Sequence, residues 1–249
     1  MYRIFLFIRS LIFLLVMITA TVIWAPVSMC FAFLPYVQRY KITAMWNRFI
    51  IFAARVICGI EYEVRGKENF PDGPAILLAK HQSAWETIFL MTVTPRPLVF
   101  VFKKEILYLP FFGWAIALLR MIPIDRSKGK DAFNHVVRHG TRRLADGQWI
   151  VMFPEGTRIR VGSKGTYKLG GTRLAVATKS PVIPVALNSG EFWPKNSFIK
   201  HPGKVIVSIG KPISSEGKDA GELMQEVENW IESEMRVISP DVYRDQAAA

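Results

Sequence analysis

The sequence predicts an α/β fold: a central, mostly buried sheet of about seven strands flanked by helices, behind a hydrophobic, membrane-anchoring helical segment. Three observations carry this. From Ile60 onward, short apolar runs of strand length alternate with stretches of helical period. Pro- and Gly-containing breaks, such as Pro71-Asp72-Gly73-Pro74 and Thr94-Pro95-Arg96-Pro97, separate the runs. No charged residue occurs between Ser10 and Gln38. A chain of 249 residues holds one good-sized core, and two full domains would be cramped. The expected organisation is a membrane anchor and amphipathic helix over 1–58, a catalytic domain over 59–240 and a disordered tail over 241–249.

The uncharged N-terminal run is flanked by Arg3 and Arg9 on one side and by Arg39 and Lys41 on the other. Leu11 to Ala25 alone reaches roughly 22 Å as helix, short of a ~30 Å hydrocarbon core. Extension back to Ile4 makes a span possible at the cost of Arg9. A cleaved signal peptide would need an Ala-x-Ala site, and more apolar sequence follows instead. Cations at both ends favour a hairpin or re-entrant pair broken near Pro26, with both ends cytoplasmic. Residues 39–58 then place Ile42, Met45, Trp46, Phe49, Ile50 and Ala53 at helical spacing, beside Arg48 and Arg55. Such a basic amphipathic helix lies on a membrane or packs on the soluble body, and both readings stay open.

In the body, strands are expected over 60–65, 74–79, 98–102, 121–124, 149–153, 182–187 and 204–209. Helices are expected over 83–93, 109–119, 129–146, 170–179 and 218–237, the last with Leu223, Val227, Trp230 and Ile231 on one face. The 32 Lys+Arg against 20 Asp+Glu give +12, which suits anionic lipid, nucleic acid or an acidic carrier. The two cysteines, Cys30 and Cys58, have no metal-ligand spacing, so no metal is expected.

Two blocks carry chemistry. Pro74-Ala-Ile-Leu-Leu-Ala-Lys80 reads as a strand, which puts His81 in the loop before a helix that starts near Ser83. Glu86, in that helix's first turn, is placed to turn back to the imidazole, fix its tautomer and stabilise the imidazolium. Ser83-Ala-Trp-Glu86 is equally a capping box, and that reading needs no catalysis. The second block follows the strand Trp149–Phe153: Pro154, then Glu155-Gly156-Thr157-Arg158, a turn with exposed N–H groups, a hydroxyl and a guanidinium fork suited to an anion. Lys103, Lys104, Arg126 and Lys168 are further anion-binding candidates after strands or turns.

These blocks resemble those of the 1-acylglycerol-3-phosphate acyltransferase family of glycerolipid enzymes. Four of them stand in the family's order: His81 to Glu86, Ile122-Pro-Ile-Asp-Arg126, Phe153 to Arg158, and Val182-Ile-Pro-Val-Ala186, with Lys103 to Ala115 also similar. The usual acid is Asp where this chain has Glu86. Glu also occurs in lipid A acyltransferases, which lack the Glu-Gly-Thr-Arg block in this form. The resemblance implies His81 and Glu86 as the catalytic pair. It assigns Glu155, Gly156, Thr157 and Arg158 to glycerol-phosphate binding, with Lys103 and Arg126 as phosphate contacts. It further implies lysophosphatidate as acceptor, acyl-CoA or acyl-carrier protein as co-substrate, no resident cofactor, and a bacterial inner membrane with the catalytic domain on its cytoplasmic side. Backbone N–H groups near the helix start are expected to steady the oxyanion.

Other classes fit less well. A lyso-ornithine lipid or similar acceptor leaves the arginines without a phosphate. A non-enzymatic basic membrane-binding protein explains charge and anchor but makes the paired blocks coincidence. Nucleic acid is not an expected partner, since no recognition motif occurs. Neither a Gly-x-Ser-x-Gly elbow nor a Gly-x4-Gly-Lys-Ser/Thr loop is present.

Overall fold

A computed structural model of the chain describes residues 1–243, apart from the side chains of Arg126 and Lys130. Its centre is a seven-stranded sheet of β1 (Ile60–Arg65), β2 (Ile76–Ala79), β3 (Leu98–Lys103), β4 (Ile122–Ile124), β5 (Trp149–Met152), β6 (Val182–Leu187) and β7 (Gly203–Ile209), in the order β1-β7-β6-β2-β5-β3-β4. Every pairing is parallel except β6 with β7, so β1 and β7 run against the rest. All seven expected strands form, with ends moved by a residue or two.

The central strands are buried on both faces, which explains why they read as unbroken apolar runs. Their alternation divides two cores. Leu77, Phe100, Val151 and Ile183 face one layer; Ile76, Leu78, Val99 and Ile150 face the other. The first layer holds α3 (Trp85–Val93) and two N-terminal helices, α1 (Tyr2–Cys30) and α2 (Tyr36–Cys58). The second holds α5 (Gly129–Ala145), α6 (Gly170–Thr178) and α7 (Ala220–Ile238). The short α4 (Phe112–Ala117) lies between β3 and β4 and touches α1; only the middle of its expected span 109–119 is α-helical.

The N-terminal pair is a hairpin, but it does not break at Pro26. Helix α1 runs through that proline to Cys30, and the turn falls at 31–35, ending on Pro35. Contacts on both sides of Pro26 hold the helical path against a cost of about 3 kcal/mol: Trp24 Nε1 donates to Ile42 O at 3.0 Å, and Ala25 and Ser28 are buried. At 29 residues, or about 43 Å, α1 is long and apolar enough to cross a membrane. One face is nevertheless seated on the body. Phe13 meets Trp193 edge-on at 5.1 Å, and Ser10 Oγ accepts from Lys200 N at 2.9 Å. Arg9 donates to Ile57 O, so this cation caps the end of α2. The opposite face exposes Phe5, Ile8, Leu15, Val22 and Ile23, and α2 adds Phe49 and Phe52. Helix α2 is thereby packed on the body along one side, with exposed apolar residues on the other.

At the C-terminus, Asp219 and Glu222 form a reciprocal capping box at the start of α7. Residues Pro240–Tyr243 add a short helix, α8, whose Tyr243 is buried. Of the expected tail 241–249, residues 244–249 lie outside the described ones.

Candidate active site

Strands β2, β5, β3 and β4 are consecutive and parallel, so their carboxyl ends lie side by side. Each is followed by one block: β2 by Lys80-His81, β5 by Phe153–Arg158, β3 by Lys103-Lys104, β4 by Asp125-Arg126. This is where open parallel sheets gather their ligand-binding loops. The register Leu78↔Met152 makes His81 and Phe153 neighbours, and their rings stack at 3.8 Å and 14°.

His81 Nδ1 lies 2.8 Å from Glu86 Oε1. The same oxygen accepts from Gln82 N and Ser83 N, each at 2.7 Å, and Oε2 accepts from Ser189 Oγ. Glu86 therefore ties the turn that precedes the helix and orients the imidazole at once; α3 itself, with Ala84 at its N-cap, has no side-chain cap. Ser83 Oγ accepts from Trp85 N at 3.0 Å, and the helix proper starts at Trp85, two residues later than expected. With a buried carboxylate against it, Nδ1 carries the proton as donor and Nε2 is left as the basic nitrogen. The expected oxyanion donors are mostly spent: the N–H groups of Gln82, Ser83 and Trp85 all go to side chains of this turn.

His81 opens onto a cavity of about 610 Å³, within the usual range for small-molecule sites. Its apolar walls come from Trp24 of α1, Trp46 of α2, Met91 of α3, Ile116 of α4 and Leu119 just after it. Its basic side carries Lys103, Arg158, Lys168 and Arg173. Lys103 is more than half exposed and only loosely paired with Glu105, at 3.4 Å. Arg173 lies 5.9 Å over the Phe133 ring. Gly156 adopts φ 68°, and a Cβ there would come within 3.1 Å of Lys168 Nζ, so glycine lets the turn close under that ammonium.

The remaining expected contacts are distributed differently. Thr157 is exposed and does not line the cavity. The Arg126 side chain lies outside the described residues. Lys104 is taken by Asp125, at 2.6 Å. Glu155 turns away from the cavity. Its Oε2 accepts from His81 N at 2.8 Å and its Oε1 pairs with the buried Lys80 Nζ at 2.8 Å. Ile159 N donates to His81 O at 2.7 Å, so Glu155 and the residue just past the block together hold both polar groups of the His81 main chain. Sequence reasoning missed Ser189, the α1 wall and Arg173. Each belongs to a segment with no local motif, brought in only by packing. Among the described residues no cluster of three His, Cys, Asp or Glu is placed to hold a metal.

The match to known proteins decides the family. A family model described as Acyltransferase matches residues 61–188. A 1-acyl-sn-glycerol-3-phosphate acyltransferase from Pseudomonas aeruginosa is 45% identical over 238 residues, covering 94% of this chain and 92% of that protein. The chain belongs to the 1-acylglycerol-3-phosphate acyltransferase family. A mouse relative, 1-acyl-sn-glycerol-3-phosphate acyltransferase alpha, is 32% identical over 200 residues, covering 78% of this acyltransferase and 70% of its own length. The crystal structure of the 1-acyl-sn-glycerophosphate acyltransferase PlsC from Thermotoga maritima superposes with a TM-score of 0.79 at 23% identity, covering all of this chain and 99% of that one. This acyltransferase shares its fold, N-terminal helices included.

Proposed function

We propose that this acyltransferase moves a fatty acyl group from an acyl thioester, acyl-CoA or acyl-carrier protein, to the sn-2 hydroxyl of 1-acyl-glycerol-3-phosphate, giving phosphatidate. The observation that carries the reading is His81, oriented by Glu86, at the junction of an apolar chamber and a basic rim. Nε2 of His81 takes the hydroxyl proton as the oxygen attacks the thioester carbonyl. The imidazolium is stabilised by the Glu86 carboxylate on its other nitrogen. When the tetrahedral centre collapses, the C–S bond breaks and the thiol leaves with that proton. Arg158, Lys168 and Lys103 bind the phosphate by charge-assisted hydrogen bonds. No covalent acyl-enzyme is needed, and Ser83 Oγ is occupied by the Trp85 N–H.

The acceptor resides in a bilayer, and the hairpin brings the site to it. Because one face of α1 is seated on the body from Leu6 to Ser28, its other face enters a single leaflet while the sheet stays in water. A cytoplasmic position on a bacterial inner membrane fits the basic flanks and the +12 charge. A lyso-aminolipid acceptor is disfavoured, because four cations would face a headgroup with no phosphate.

The test uses purified protein with lysophosphatidate and graded acyl-CoA and acyl-carrier donors, beside His81→Ala. Loss of a general base lowers turnover by about 10²–10⁴-fold. Near-native turnover in that variant, or preference for a lyso-aminolipid, rejects the reading.

A further inference from the structure

Behind His81, on the side away from the cavity, lies a buried ionic network in which the proposed reaction has no direct use. Lys80 is fully buried at the end of β2. Its ammonium meets Glu155 Oε1 at 2.8 Å and Glu232 Oε1 at 2.7 Å. Glu232 belongs to α7, on the sheet face opposite the membrane hairpin, and also accepts from Tyr167 OH at 2.7 Å. The other Glu155 oxygen holds the His81 N–H. An unbroken chain of contacts thus runs from α7 to the main chain of the basic residue: Glu232, Lys80, Glu155, His81. Removing charges from water is costly, and two carboxylates on one ammonium are more than neutrality requires. Burial lowers the affinity of Lys80 for its proton, but the two carboxylates outweigh it and keep the ammonium charged.

We infer that Lys80 and Glu232 are positioning residues: through Glu155 they fix the His81 peptide so that its ring stays stacked on Phe153 with Nε2 toward the cavity. The inference rests on the proposed role of His81, and it moves Glu155 from substrate contact to scaffold. The two assignments differ in what a kinetic experiment reads. A group that binds the acceptor changes KM, whereas a group that aims the base changes kcat and leaves KM near its original value. Neither Lys80 nor Glu232 lines the cavity, so neither reaches the acceptor.

The test compares wild type, Glu232→Leu, Glu232→Gln and His81→Ala as full-length protein in detergent, with lysophosphatidate and an acyl-CoA. Glu232→Leu is expected to lower kcat at least about tenfold, toward the hundredfold that a 1 Å misplacement can cost, with KM for lysophosphatidate within about twofold. Glu232→Gln keeps an acceptor for Lys80 and Tyr167 and recovers most of the loss. An unchanged kcat in folded Glu232→Leu overturns the inference, as does a rise in KM as large as the fall in kcat. Should Glu232→Leu fail to fold, Tyr167→Phe, which removes one hydroxyl from Glu232, shows a smaller fall in kcat at constant KM; unaltered kcat there is equally fatal. An inactive His81→Ala beside an unaffected Glu232→Leu sinks this inference alone, whereas an active His81→Ala sinks the proposed reaction.

Discussion

The two carboxylates nearest His81 divide the work of holding it. Glu86 grips the ring through Nδ1, and Glu155 grips the main chain through the N–H. Glu86 was legible as an acid that turns back to the imidazole; that Glu155 lies against the His81 main chain was not. A glutamate in a Pro-Glu-Gly-Thr-Arg turn reads as a ligand contact until a buried ammonium is found across from it. Arg158, by contrast, lies on the cavity wall, with no carboxylate paired to it among the described residues. Its substitution by alanine removes a charge-assisted hydrogen bond worth about 1.5–3 kcal/mol, so KM for lysophosphatidate should rise roughly ten- to hundredfold. Little change in KM, measured at saturating donor, would exclude Arg158 from the phosphate site.

Elements place these residues through their ends. The turn after β4, which carries Arg126, is tied by Asp125: Lys104 Nζ lies 2.6 Å away, and Ser127 donates from both N and Oγ. The hydrogen bonds from Lys104 and then Ser127 hold the Asp125 carboxyl down to about 2, below its ordinary 3.8. A carboxylate with a depressed folded pKa stabilises the protein above the unfolded value and loses that contribution as pH falls through the folded one. The stability gap between wild type and Asp125→Asn should therefore be full at neutral pH, narrow below about 4, and close near 2. Thermal melting across that range reads it, and a gap of equal size at pH 7 and pH 2 would contradict the assignment. Helix α3 shows how close element prediction came: its carboxylate was placed correctly, but the first turn tightened around Glu86 and delayed the helix to Trp85.

At the scale of the whole molecule, the hairpin is both an exposed apolar surface and a cavity wall. Thr21, Trp24 and Ala25 line the chamber, while Phe13 completes the core against Trp193. Removing residues 1–30 should abolish acyl transfer even in detergent micelles, where anchoring is not needed. A detachable anchor would leave detergent activity intact, and that result would refute the structural role. The basic surface adds a separate expectation for the intact protein: binding to anionic vesicles weakens as salt rises, without vanishing, because the apolar face of α1 is not screened.

Local pattern was enough to determine the strands, most of the helices and the two blocks at His81 and Phe153, because side-chain period and turn chemistry depend on residues a few positions apart. It placed His81 and Glu86 together for the same reason, since five residues bridge a loop and a first helical turn. Strand order was beyond it. That β5 lies beside β2, bringing Phe153 and Glu155 against His81, follows from pairings between segments about seventy residues apart. So does the partner of Glu155, because whether a carboxylate meets solvent, a substrate or a buried ammonium is set by what packs across from it. The path of α1 through Pro26 was decided in the same way, by contacts with α2 and the body that outweigh the local preference of a proline to end a helix.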